Sequence, residues 1–298
     1  MIVLILIEAG VYAMQNVVHI KVNAKDGAVI PVVTFKIEDS SKKGIVIISH
    51  GFGEHSGAYI EHAERLWQGG YASVILDQRG HGKPPEGSKN WHGRIPDYKC
   101  FIDDIVSVTA IVREIAPNTP VALYGHSMGG NIVINTLLRL PVNQAKTYFC
   151  AMLESPWLDL KDPLDPVSCF VIRTMSKIAP DFRHHKKLQH DDLSGDIEKK
   201  QGYAKDPYYH GFISMRMITG IMDGCAYALE NAVRLPVKTY LAYAEKEKVV
   251  SNKATLEFAA KAGRMITVKE YESHHAIYND VMRVPYCQDL TKFLDSNL

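Results

Sequence analysis

Apolar and polar positions alternate along this chain in two rhythms. Runs without internal alternation, Ile45-Val46-Ile47-Ile48, Tyr71 to Leu76, Val121-Ala122-Leu123 and Tyr148 to Leu153, predict strands covered on both faces. Between them lie segments of helical spacing. Tyr59 to Gln68 stops at Gly69-Gly70, Asp97 to Ala116 carries a broad face including Ile102, Ile105, Val108 and Val112, and Asn131 to Leu140 stops before Pro141. Val17 to Val22 and Val29 to Ile37, parted by Asn23 to Gly27, predict an antiparallel hairpin ahead of them. Strand and helix taking turns in this way predict an α/β fold with a mainly parallel, doubly wound sheet.

After Glu154-Ser155-Pro156 the rhythm breaks. Residues 157–230 show no convincing strand but a helix over Pro166 to Ile178, a charged span from Asp181 to Lys200 and a Met-rich segment from Phe212 to Leu229. This stretch is expected to be an inserted helical lid. The sheet pattern resumes with Val237 to Tyr243, a helix near Lys253 to Ala262, the strand Met265 to Tyr271 and a last helix, so residues 14–156 and 231–298 form the core. Residues 1–13 are apolar for only seven positions before Glu8 and have no basic n-region, which suits neither a membrane span nor a signal peptide. They are read as a leader outside the regular pattern, with a packed strand as the alternative and Met14 as an equally good start.

Composition narrows the function. A length of 298 residues with 46% hydrophobic content is ample for one large core. A net charge of +1, with Lys and Arg scattered, offers no basic face for phosphates, so no nucleic-acid partner is expected. The five cysteines, Cys100, Cys150, Cys169, Cys225 and Cys287, are odd in number, far apart and in no C-x-x-C pair, so neither a disulfide framework nor zinc is suggested. A reducing cytoplasm fits this usage. The sequence carries no signal for an oligomeric state.

The chemistry centres on Gly125-His126-Ser127-Met128-Gly129, which fits G-x-S-x-G. An apolar strand precedes it and an amphipathic helix follows, the context in which Ser127 sits on a sharp turn with its side chain projecting. On such an elbow the chain order is Ser, then acid after a later strand, then His after the last one. Beyond Val237 to Tyr243 lie Glu245 and Glu247, and beyond Met265 to Tyr271 lie His274 and His275. An imidazole must take the Ser127 proton and a carboxylate must fix its tautomer, but spacing does not choose within either pair. Adjacent histidines converge poorly on a metal, and no other ligand stands at a suitable spacing, so no metal and no cofactor are expected.

Over Met14 to Leu298 the chain resembles the monoacylglycerol lipase and lysophospholipase family of α/β-hydrolases. HGFGEHSGAY from His50, DQRGHG from Asp77, GHSMGG from Gly125 and YAKDPYY from Tyr203 match its motifs in order. The resemblance implies an α/β-hydrolase fold, an ester substrate and a lid. It also implies a choice at each tie. Glu247-Lys248-Val249-Val250 stands where the family has its acid before a basic-and-valine run, and in HHAIYND the family register selects His275. Three departures stand out: Glu replaces the usual Asp, Ala276 stands where the family tends to be acidic, and Ala58 where it often has Arg. Backbone geometry places the oxyanion-hole donors at the N–H of Met128, just after the nucleophile, and of Phe52, after the strand Ile45 to Ser49. Asp77, Arg79 and His81 read as braces of a charged turn.

The expected activity is that of a serine hydrolase on a monoacylglycerol or lysophospholipid, with Ser127, Glu247 and His275 as the triad. The lid, through side chains such as Phe170, Met175, Phe212, Met215, Met217 and Met222, would face the acyl chain and touch a membrane surface transiently. The rivals are a small-ester, thioester or peptide hydrolase on the same fold, and a catalytically silent ligand-binding relative.

Overall fold

A computed structural model gives the chain's structure and describes residues 17–186 and 189–298; the leader assigned to residues 1–13 lies outside them. The hairpin forms as expected, β1 (Val17–Asn23) pairing antiparallel with β2 (Val29–Phe35). Strands β3 (Gly44–Ser49) and β4 (Tyr71–Leu76) flank α1 (Ile60–Gln68), and α2 (Lys99–Ile115) leads to β5 (Val121–His126), α3 (Met128–Arg139) and the short α4 (Val142–Ala145). Then come β6 (Tyr148–Glu154) and the long excursion α5 (Pro166–Ile178), β7 (Arg183–His185), α6 (His190–Leu193), α7 (Ile197–Lys205), β8 (Phe212–Ser214) and α8 (Met215–Asn231). The chain closes with β9 (Lys238–Ala244), α9 (Asn252–Ala262), β10 (Ile266–Tyr271) and α10 (Arg283–Asn297).

Eight strands form one sheet in the order β1-β2-β4-β3-β5-β6-β9-β10, parallel from β4 to β10 and antiparallel only at the β1-β2-β4 end. The central strands β3, β4 and β5 are buried at every position, which is why their sequences run apolar without alternation. One face is covered by α1 and α10 through Ala63, Leu66, Leu290 and Leu294, the other by α2, α3, α8 and α9 through residues such as Val108, Ile132, Ile221 and Phe258. Chain direction reverses its march across the sheet between β3 and β5, where Ser49 pairs with Gly125. The segments leaving these two strands therefore run side by side, at the place where open α/β sheets bind ligands.

Two details differ from the sequence reading. The excursion contains a small antiparallel pair, Arg183 to His185 with Phe212 to Ser214, whose three-residue strands are too short to show alternation. In addition, α8 is not wholly lid-like. Met217, Ile221, Gly224 and Ala228 are buried, and Asn135 Nδ2 on α3 donates to the Gly224 carbonyl at 3.0 Å, so half of this Met-rich helix is core. By contrast α5, whose Asp165 cap accepts from the N–H groups of Val167 and Ser168, buries no residue.

Candidate active site

The tip of β5 delivers Ser127 into α3. Its φ of 52° and ψ of −117° put a non-glycine residue in the left-handed half of backbone space, a conformation that persists only where neighbours over-determine it. They do so here: Ser127 N–H donates to Glu154 O at 2.9 Å, and Ser127 O accepts from Trp157 N at 2.9 Å and Asn131 N at 3.1 Å. Both motif glycines are required sterically. A Cβ at Gly129 would run into the Ser49 carbonyl, and one at Gly125 into the backbone of Gly129. Met128 is the first residue of α3, so its N–H has no intrahelical acceptor and is free for another partner. Phe52 follows β3 in the neighbouring segment; its ring packs edge-on against Trp157, His81 and His210, so its side chain is anchored while its N–H is the group the sequence reading invoked.

The two members of each pair have different surroundings. His275 Nδ1 lies 2.8 Å from Glu247 Oε2, and both residues are nearly inaccessible to solvent. Glu247 Oε1 accepts from Val249 N at 2.8 Å and Val250 N at 3.2 Å, which fixes the carboxylate's orientation through its own turn. Burial alone would raise the Glu247 pKa, but the His275 imidazole and these two N–H groups hold it below the ordinary glutamate value. Glu245 is exposed. His274 turns away, its Nδ1 3.0 Å from Asp280 Oδ2. Asp280 is fully buried and also accepts from Gly195 N, Ser194 Oγ, Ser273 Oγ and His274 N, tying the histidine segment to the start of α7.

Ser127 and His275 line one cavity of about 620 Å³. Among the described residues no hydrogen bond joins the serine hydroxyl to His275; such bonds often tighten only around a substrate. Most of the lining is apolar, including Val167, Val171 and Met175 of α5 and Met215 and Ile218 of α8. Met217, expected on the acyl side, is instead in the hydrophobic core, and Met222 is not among the lining residues. The turn after β4 is a set of braces: Asp77 Oδ1 accepts from Ser56 N at 2.6 Å, Arg79 pairs with both Asp104 and Asp26, and His81 Nδ1 contacts Arg79 O.

Sequence reasoning passed over four buried polar residues, of which Glu54 and His126 line the cavity. Glu54 and His126 stand inside the quoted motifs HGFGEH and GHSMGG, Glu154 ends β6 and Tyr278 lies three residues after His275, but their burial is a tertiary fact. Here Glu54 Oε2 accepts from Gly51 N at 2.7 Å and Tyr59 Oη at 2.6 Å, which shapes the loop carrying Phe52.

Comparison with known proteins places this chain in a family. The family model described as serine aminopeptidase, S33, matches residues 40–281. A monoacylglycerol lipase of Mycolicibacterium smegmatis is 27% identical over 263 residues, 87% of this chain and 91% of that protein. A monoglyceride lipase of Mus musculus is 33% identical over 248 residues, 81% of this chain and 78% of that protein. Among solved structures, a soluble variant of the Saccharomyces cerevisiae monoglyceride lipase, in complex with a substrate analog, superposes with a TM-score of 0.81 at 20% identity, covering 97% of this chain and 99% of that one, which shows a shared fold. The chain belongs to the family that the matching model describes and, within it, to the monoacylglycerol lipase family of α/β-hydrolases: it is an ester hydrolase.

Proposed function

We propose that the chain cleaves the ester bond of a monoacylglycerol or lysophospholipid through a serine-linked acyl-enzyme. The carrying observation is Ser127 on its strained elbow, in the same largely apolar cavity as a buried His275–Glu247 pair. In this reading His275 takes the Ser127 proton as the hydroxyl attacks the ester carbonyl. Glu247 holds the proton of Nδ1 and stabilises the imidazolium that forms. The oxyanion of the tetrahedral intermediate is received by the N–H groups of Phe52 and Met128. His275 then hands its proton to the departing alcohol, and water repeats the path in reverse. The cavity's apolar wall suits an acyl chain, and the relatives named for monoacylglycerol favour that headgroup.

The excursion over 157–230 serves in this reading as the lid. Along α5, Val167 and Phe170 are each 70% exposed and Ile178 is 75% exposed, while Val167, Val171 and Met175 also line the cavity. One helix thus forms both the roof of the site and an unsatisfied apolar surface, which suits transient contact with a lipid surface. Among the described residues no helix is long and apolar enough to cross a membrane. The test is labelling by a fluorophosphonate probe in wild type and Ser127→Ala, followed by a panel of esters graded in acyl length and headgroup. Ser127-dependent labelling with a preference for long-chain glycerol or lysophospholipid esters is the expected result. Folded wild-type protein that takes no label would favour a ligand-binding role instead.

A further inference from the structure

Three segments carry the groups of the proposed reaction: the loop after β3 with Phe52, the elbow with Ser127, and the segment after β10 with His275. A buried charged cluster touches all three, and the reaction above uses none of its members. At its centre is Glu154, the last residue of β6, with no solvent exposure. Its carbonyl accepts the Ser127 N–H at 2.9 Å. Its carboxylate Oε1 stands 3.3 Å from Nδ1 of His126, the residue before the nucleophile, and accepts the Tyr278 N–H of the histidine segment at 3.2 Å, while Oε2 accepts from the Tyr124 hydroxyl.

His126 extends the cluster in two directions. Its ring packs on that of His275 with centroids 4.8 Å apart, and its Nε2 lies 3.9 Å from Glu54 Oε1. Glu54 holds the Gly51 N–H beside Phe52 and accepts the Tyr278 hydroxyl at 3.2 Å, which closes the circuit. Stability alone does not explain such a core. Two carboxylates and an imidazole out of water are costly, and a well-packed apolar set of similar volume is commonly as stable or more so. The residue after Glu154 is itself strained: Ser155 has a φ of 40° and is held by its N–H on Ala242 O at 2.9 Å.

We propose that Glu154, acting through His126, is a positioning residue that keeps the elbow, the Phe52 loop and the His275 segment in register for acyl transfer. This rests on the serine-hydrolase reading given above. The cluster sets the His126 ring between two carboxylates, Glu154 on its Nδ1 side and Glu54 on its Nε2 side. Burial pulls the His126 pKa down, but Glu54 and Glu154 outweigh it and leave it above the ordinary histidine value; burial likewise raises Glu154, and His126 with Tyr124 brings it below the ordinary glutamate value. The groups facing His126 are Glu54, Glu154, Glu247, His50, His62, His275 and Tyr278. Removing the Glu154 charge takes away one of the two carboxylates that raise the His126 pKa, so a pH dependence carried by this ring should move to lower pH.

The experiment measures kcat, KM and their pH profiles for wild type, Glu154→Gln, Glu154→Asp and His126→Gln, with active sites counted by fluorophosphonate titration. For Glu154→Gln and His126→Gln, kcat per titrated site should fall about 10²-fold, the scale of a misplaced reacting group, with KM changed by less than about threefold. The alkaline limb of the Glu154→Gln profile should move to lower pH, and Glu154→Asp should recover part of the rate. If kcat per titrated site stays within about twofold in both amide variants and the pH limb does not move, Glu154 is a structural residue only; loss of folding in both has the same meaning. A wild-type protein that takes no label at Ser127 instead overturns the serine-hydrolase reading, a result distinct from normal variants of a labelled enzyme.

Discussion

Replacing Glu247 by glutamine keeps the shape of the site and turns one acceptor into a donor. Its Oε1 position faces two N–H donors, those of Val249 and Val250, and its Oε2 position faces His275 Nδ1 at 2.8 Å. A glutamine can meet the backbone donors only with its carbonyl oxygen, so its NH2 must point at Nδ1. That nitrogen then has to accept, and the ring proton moves to Nε2, the atom that must take the proton of Ser127. The base is in the wrong tautomer, and the imidazolium, once formed, lacks its counter-ion. In serine proteases the equivalent amide costs about 10⁴ in turnover. Here Glu247→Gln should lose roughly 10² to 10⁴, equivalent to about 3–5.5 kcal/mol of transition-state stabilisation at 1.36 kcal/mol per tenfold. Glu247→Asp keeps the charge but is one methylene too short to serve the N–H pair and the imidazole together, so it should keep partial activity. Exposed Glu245→Gln should change the rate by less than about threefold. Steady-state kinetics on a soluble short-chain ester, with circular dichroism to confirm folding, decides. A folded Glu247→Gln protein of near-normal rate, or a crippled Glu245→Gln, would refute the assignment.

Ser127→Ala, His275→Ala and the double variant should lose the same activity, because a triad acts as a unit, while His274→Ala should lose far less since its partner is Asp280; the reverse ranking of the histidines in turnover assays would sink this. Met175→Ser and Met215→Ser, which alter the cavity wall, should depress hydrolysis of long acyl esters more than of acetate esters. Met217→Ser should leave that ratio unchanged and cost about 2–5 kcal/mol in denaturant unfolding, because Met217 is core. Asp280 is lowered well below the ordinary carboxylate range: burial would raise it, but the His274 N–H and the Ser273 hydroxyl, among others, outweigh that. A lowered folded pKa contributes stability above the unfolded value of about 3.9 that is lost as pH falls towards the folded one, so Asp280→Asn should be less stable at pH 7 by about 1–3 kcal/mol and the deficit should shrink below pH 4. A thermal-shift series showing the deficit growing in acid would contradict this.

The sheet was legible because its central strands are buried on both faces, and that constraint writes continuous apolar runs such as Ile45 to Ile48. The elbow was legible because strand, tight turn and helix each leave a local mark. The choice of Glu247 and His275 was not legible from spacing; it came from resemblance, and the geometry supplies its physical basis, in that the Glu247 carboxylate folds back on its own turn and His274 has a separate partner in Asp280. Met217, in the segment expected to be a lid, was misread for a related reason. Helical spacing reports that one face of α8 is apolar but not whether α3 or a cavity covers it, so Met217 and Met215 look alike in sequence. Glu54, His126 and Glu154 were missed because charged residues are usually solvated, and only the fold shows that they meet out of water.

The order of the strands explains why these residues are needed. Neighbouring strands stand about 4.8 Å apart, so β9, two places from β5, ends roughly 10 Å from the serine strand, and β10 roughly 14 Å. At that separation the proposed reaction needs an imidazole between Ser127 and a carboxylate after β9. The imidazole comes from the far edge, on a segment that must travel back across β9 towards β6. Such a return is unstable unless something holds it. Asp280 ties its outer part to Ser194 and Gly195, and the carboxylate at the end of β6, the strand in the gap, takes the Tyr278 N–H. Glu154 is therefore placed where the sheet leaves an opening between the proposed nucleophile and acid, and its neighbour His126 lies on β5, the strand that leads to Ser127. A side chain that only filled this space would have no reason to be charged; one that must hold a returning backbone N–H and a neighbouring imidazole does.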